Sequence, residues 1–182
     1  MVRLRTVGHG TLPAEELGRL VAGAGVEVLV DVRSFPASRR HPQFRREAME
    51  RWLPDAGVAY RWDPRLGGRR RPRPDSPHAA LRVPAFRGYA DHMETDEFRD
   101  AVDELLAEAG TRPAAVMCAE SVWWRCHRRL LADAAVLLRG AAVEHLFHDG
   151  RLNAHRPTPE ARVEGRRLVY DGGEPGLPLR DS

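Results

Sequence analysis

Between Val26 and Val32 five of seven residues are aliphatic, four of them valine, and only Glu27 and Asp31 interrupt the run. A segment this short, this β-branched, and bounded by Gly25 and Pro36 suits a strand covered on both faces, which is the condition of parallel strands between helical layers. Four further apolar runs recur along the chain, at Leu4–Val7, Val58–Trp62, Ala114–Cys118 and Val143–Phe147. Segments of helical spacing separate them. Thr11 caps a first helix that holds Pro13 in its opening turn and ends at Gly25; the others run over Phe44–Leu53, Phe86–Met93, Thr95–Ala109 and Val122–Leu138. This alternation predicts a three-layer α/β fold of Rossmann-like type. Its sheet is mainly parallel and five-stranded, with helices on both faces. Arg166–Tyr170 is expected to add an edge strand at the C-terminal end, residues 1–172 to form a single domain, and the Gly/Pro-rich residues 173–182 to be a flexible tail.

With 182 residues the chain is long enough to bury a core without staples, and its two cysteines, the lack of a secretory leader and of any span-length apolar run predict a soluble, cytoplasmic protein with no membrane contact. The formal charge of +3 points weakly to a polyanionic partner. Every basic residue is arginine, which matches the codon bias of a G+C-rich genome, so clustering carries more information than the total. The densest cluster is Arg61, Arg65, Arg69, Arg70, Arg71 and Arg73, in an aperiodic, proline-rich stretch over 63–84 that reads as a long loop.

Parallel strands align their carboxyl ends, where ligands of open α/β sheets bind. Three chemically loaded segments fall there. In the first, the glycines around His9 allow backbone donors of His9, Gly10 and Thr11 to approach an anion, or simply let a helix pack close. In the second, Asp31 and Arg33 lie on one side of an extended chain, as a structural ion pair or as a general base beside a phosphate-holding arginine, with Ser38 and Arg39 adding anion contacts. The third runs from Cys118 to Arg128. Glu120, just ahead of the capping Ser121, is the leading candidate for proton transfer, against a purely electrostatic role at the helix start. His127 is aimed at the sheet on a helical wheel, as a core histidine or a ligand contact, whereas Arg128 points away. Cys118 and Cys126 are small packing residues or reactive thiols. Together with Glu120 and His127 they contain donor atoms for zinc but not the paired spacing of a structural zinc site, so no metal and no cofactor is expected.

The motifs Thr6-Val-Gly-His9, Asp31-Val-Arg33 with Pro36 and Ser38, Leu66-Gly67-Gly68, Tyr89-Ala-x-x-Met93-x-Thr95-x-x-Phe98 and Cys118-Ala-Glu120-x5-Cys126-His127-Arg128 resemble the domain-of-unknown-function 488 family over roughly Thr6 to His145. The resemblance implies a small α/β protein and supplies no reaction. Gly10 replaces a typical serine, and Val122-Trp123-Trp124 is bulkier than the usual segment after Cys-Ala-Glu.

The leading functional expectation is an enzyme that binds a phosphate-bearing nucleotide or nucleic acid at the strand carboxyl ends and cleaves it hydrolytically or at the N-glycosidic bond. Glu120, Asp31 and His127 would be catalytic, Arg33, Arg39 and Arg128 would hold phosphate, and Trp123, Trp124 or Tyr89 would stack on a base. A non-catalytic nucleotide or nucleic-acid binding module is the alternative, and thiol-dependent chemistry at Cys126 or Cys118 the third.

Overall fold

The computed structural model describes residues 1–173, so the expected flexible tail lies outside the described residues from 174 onward. Its central sheet is six-stranded, built from β1 (Arg3–Gly8), β2 (Val28–Asp31), β3 (Ala59–Trp62), β4 (Ala114–Cys118), β5 (Ala142–Leu146) and β6 (Leu152–Ala154), in the order β3-β2-β4-β1-β5-β6. All neighbouring pairs are parallel except β5–β6. The three-layer α/β reading therefore holds, with one strand more than the sequence suggested.

Side-chain alternation along the buried strands feeds two cores. Leu29, Ala115 and Met117 point to one face, where α1 (Ala14–Gly23) and α2 (Arg46–Trp52) cover them with Leu17, Val21 and Met49. Val28, Val30, Val116 and Cys118 point to the other, beneath α3 (Pro84–His92), α4 (Asp96–Thr111) and α5 (Arg128–Arg139). Cys118 thus ends its strand on the α5 side. The helix after β2 lies on one face and the helix after β4 on the other, so a crevice opens between the carboxyl ends of these adjacent strands. Three hydrogen bonds continue the ladder beyond the strands and hold the crevice walls together: His9 N to Cys118 O (3.0 Å), Gly10 N to Ala119 O (3.0 Å) and Val32 N to Met117 O (2.9 Å).

Three local expectations are corrected. Arg167–Tyr170 (β8) does not extend the central sheet; it pairs with β7 (Ala161–Glu164) in a separate hairpin, and Leu168 and Tyr170 join the core on the α5 side. Thr11 is exposed and caps nothing, because α1 begins only after Pro13. The helix after β4 starts at Arg128 rather than Val122, since a 3-10 turn over Trp123–Arg125 leads into an extended Cys126 (φ −127°, ψ 154°). The wheel drawn from Val122 consequently mis-aimed Arg128. It is 1 % exposed, among the largest fully buried side chains.

The 63–84 segment is tied down by its own arginines. Asp63 binds Arg61 and Arg65, which also reach Glu108 and Glu104, while Arg73 pairs with Asp91 and Glu94. Arg70 and Arg87 donate to backbone carbonyls of Gly67, Pro64 and Leu81. Much of the charge that looked available to a polyanion is spent inside the fold. Among the described residues no helix is long and apolar enough to cross a membrane.

Candidate active site

Two adjoining hollows occupy the crevice. The smaller, about 270 Å³, is lined by Arg33, Phe35, Arg69, Glu120, Arg125 and His127 around the two cysteines. The larger, about 690 Å³, is lined by His9, Gly10, Thr11, Ser38, Arg39, Arg40, His41 and Ser121, and shares Arg33, Phe35, Arg69 and Glu120 with the first. Segments far apart in the chain therefore meet at one rim of the sheet.

The smaller hollow has a sulfur floor. Cys118 Sγ and Cys126 Sγ lie 2.7 Å apart, and both residues are buried and free of disulfides. His127 Nε2 donates to Val32 O at 2.9 Å, which turns Nδ1 toward Cys126 Sγ at 3.6 Å. The Arg128 backbone N–H, at the amino end of α5, donates to the same sulfur at 3.5 Å. Burial alone disfavours the Cys126 thiolate; the Cys118 thiol, His127 and Arg128 more than offset it and hold the pKa well below the usual thiol value. Burial and the neighbouring Cys126 push Cys118 well above it. Gly68 gives His127 its room, because a Cβ there would come within 2.9 Å of Nδ1.

Beneath the sulfurs Arg128 is held by a buried row of polar groups. Its Nη2 donates to Glu120 O (2.5 Å) and its Nη1 to Thr6 Oγ1 (3.2 Å). Thr6 contacts His145 Nδ1 (2.7 Å), His145 Nε2 contacts His155 Nδ1 (2.9 Å), and His155 Nε2 meets Asp133 Oδ1 (2.7 Å). Asp133 also accepts from Thr158 N and from the Tyr170 hydroxyl. Burial, with His155 and Arg128 beside it, pushes His145 down to about 3, so its ring is neutral. Donors then run in one sense, from the Arg128 cation to the Asp133 carboxylate.

The second wall is an ion pair. Both Asp31 oxygens are occupied, by Arg33 Nε (2.9 Å) and Nη2 (2.6 Å) and by the Tyr60 hydroxyl (2.5 Å), and the carboxylate has no solvent exposure. His9 donates from Nδ1 to Gly10 O and turns Nε2 to Arg33 Nη1 at 3.4 Å; burial lowers its pKa to about 4, so it supports Arg33 as a neutral ring. Asp31 is thus placed as the anchor of Arg33, which alone of the pair lines the hollows.

Other sequence candidates are divided by the fold. Glu120 is exposed at the mouth, its Oε1 accepting from Val122 N at 3.4 Å. Tyr89 has no exposure and lies behind His127, ring centroids 5.0 Å apart, with its hydroxyl donating to Leu66 O. Trp124 is 46 % exposed and lines neither hollow; its neighbour Trp123 is stacked on His145 at 4.1 Å. Sequence reasoning missed Arg69, Arg125 and the Thr6–His145–His155–Asp133 row. Asp133 carried a signal, for it is the one polar residue in the otherwise apolar stretch Leu130–Leu138, and a carboxylate buried there needs partners. Among the described residues no group of three or more His, Cys, Asp or Glu side chains is arranged to hold a metal ion.

Fold and site together define an α/β protein whose strand-end crevice joins a buried thiol pair to an arginine-lined hollow. The chain belongs to the Domain of unknown function DUF488 family, whose model matches residues 13–135. No curated protein and no solved structure matches it.

Proposed function

We propose that the protein is a thiol-dependent enzyme acting on a small phosphate-bearing molecule, with Cys126 as nucleophile. The observation that carries this reading is the set of contacts to one sulfur: the Cys118 thiol and the N–H opening α5 are donors to a thiolate at Cys126, and His127 Nδ1 is within reach to take its proton. His127 takes the thiol proton and returns it to a leaving group. Arg33, fixed by Asp31, and the exposed Arg39, Arg40 and Arg69 around the larger hollow supply donors for an anionic handle. The cleavage expected of Asp31 and Glu120 has less support. Asp31 has no free oxygen for a proton, and among the described residues lining the two hollows Glu120 has no second carboxylate of the kind that glycosidic cleavage usually employs. The internal pairing of Arg61, Arg65 and Arg73 likewise favours a small ligand over an extended nucleic acid.

The test is alkylation by iodoacetamide across pH, read by peptide mass. An ordinary thiol of pKa ~8.5 is only ~0.3 % thiolate at pH 6. Because the Cys126 pKa is depressed, its reactivity rises through a lower pH, and at pH 6 it is expected to react at least ~10-fold faster than a free cysteine. Inorganic phosphate or pyrophosphate slows that reaction by filling the arginine-lined hollow. A Cys126 profile that follows a free thiol sinks the nucleophile; indifference to both anions sinks the substrate class.

A further inference from the structure

We propose that Cys118 and Cys126 operate as a two-thiol redox couple that reduces a small anionic disulfide, with Cys126 attacking and Cys118 resolving. This deepens the thiol reading and rests on it. The sulfurs, at 2.7 Å, are inside van der Waals contact and need to close only to about 2.05 Å to bond. Backbone geometry has already made the approach: Cys118 is the last residue of β4, and the extended Cys126 interrupts what would otherwise be a continuous helix. An α-helix begun at Val122 would carry Cys126 away on a fixed spiral. Two inert packing cysteines give no reason for that break.

The roles divide by environment. Cys126 has His127 Nδ1 and the α5 amino end beside it, whereas Cys118 has the Glu120 carbonyl at 3.7 Å, an acceptor suited to a protonated thiol. In the first step the Cys126 thiolate attacks one sulfur of R–S–S–R′; the Cys126–S–S–R bond forms, and R′–S⁻ leaves with the proton held by His127. In the second, Cys118 gives up its proton and attacks Cys126 Sγ; the Cys118–Cys126 disulfide forms, and R–S⁻ leaves with that proton. The substrate gains two electrons and the cysteine pair loses them. An external dithiol reverses the change and completes the cycle. Arg33, Arg69 and Arg125 around the smaller hollow fit a disulfide that carries carboxylate or phosphate groups.

The experiment mixes the reduced protein with dithiobis(nitrobenzoate), a dianionic aromatic disulfide whose released thiolate is coloured. Wild type is expected to release two equivalents, keep no adduct, and end two hydrogens lighter with Cys118 and Cys126 linked in one peptide pair. Cys118→Ala releases one equivalent and retains the mixed disulfide on Cys126, and Cys126→Ser releases colour at least ten times more slowly. Adducts retained separately on both cysteines of wild type, or first on Cys118, overturn the couple. The wild-type mass readout decides this even where a variant fails to fold. Fast low-pH alkylation of Cys126 without the internal disulfide leaves the nucleophile standing and removes the couple; an ordinary alkylation profile removes both.

Discussion

Asp133→Ala lowers the free energy of unfolding by about 3–5 kcal/mol, measured by urea titration at unchanged m-value. The substitution deletes an acceptor that meets three donors at once, from His155, Thr158 and Tyr170, in a place without solvent exposure. Each buried donor left unpaired costs about 1–3 kcal/mol, reduced where the cavity admits water. The loss does not stop there. Without its carboxylate the row no longer fixes the ring of His145, so Thr6 loses the acceptor that orients it toward Arg128. Tyr170→Phe provides the contrast, since it removes one donor and leaves Asp133 with two; about 1 kcal/mol is expected. A loss near 1 kcal/mol for Asp133→Ala as well would mean that the row is not a single unit.

Gly8→Ala is expected to cost at least about 2 kcal/mol and to abolish the low-pH alkylation of Cys126. At Gly8 a Cβ would be driven into the Glu120 carbonyl, with Ser121 Cα only 2.7 Å away, and none of these neighbours is a side chain that can swing aside. Either β1 or the loop after β4 must move. That same Glu120 carbonyl accepts from Arg128 and from the Cys118 thiol, so a shift there misplaces both the cation and one sulfur. Thermal unfolding and alkylation rate report the two effects separately. A variant as stable as wild type with unchanged Cys126 reactivity would show that the close approach of strand and loop is incidental.

What the sequence made legible follows from the range of the interactions involved. Layering was readable because Val26–Val32 and Ala114–Cys118 declare buried strands locally, and strand ends then had to converge on one rim. That placed His9, Asp31, Arg33, Cys118 and His127 together without knowledge of any contact. Arg128 was misread for a physical reason: periodicity assumes that a helix runs unbroken from Val122, and the 3-10 turn followed by an extended Cys126 delays its start to Arg128. An arginine inside a core also looks like any other in a chain whose 29 basic residues are all arginine. The partners that make its burial tolerable, Thr6 and His145, come from other strands and leave no local trace. The Asp31–Arg33 spacing was legible, but Tyr60 was needed to show that the carboxylate is saturated.

Since every group from Arg128 to Asp133 hands its hydrogen onward in the same direction, the tautomers of His145 and His155 are not independent choices. Both rings carry their proton on Nε2, and turning one round would set two lone pairs or two hydrogens face to face. The row is therefore a molecular ratchet for orientation: the charge at its far end, under the β7–β8 hairpin, dictates which way the threonine hydroxyl points two imidazole rings away.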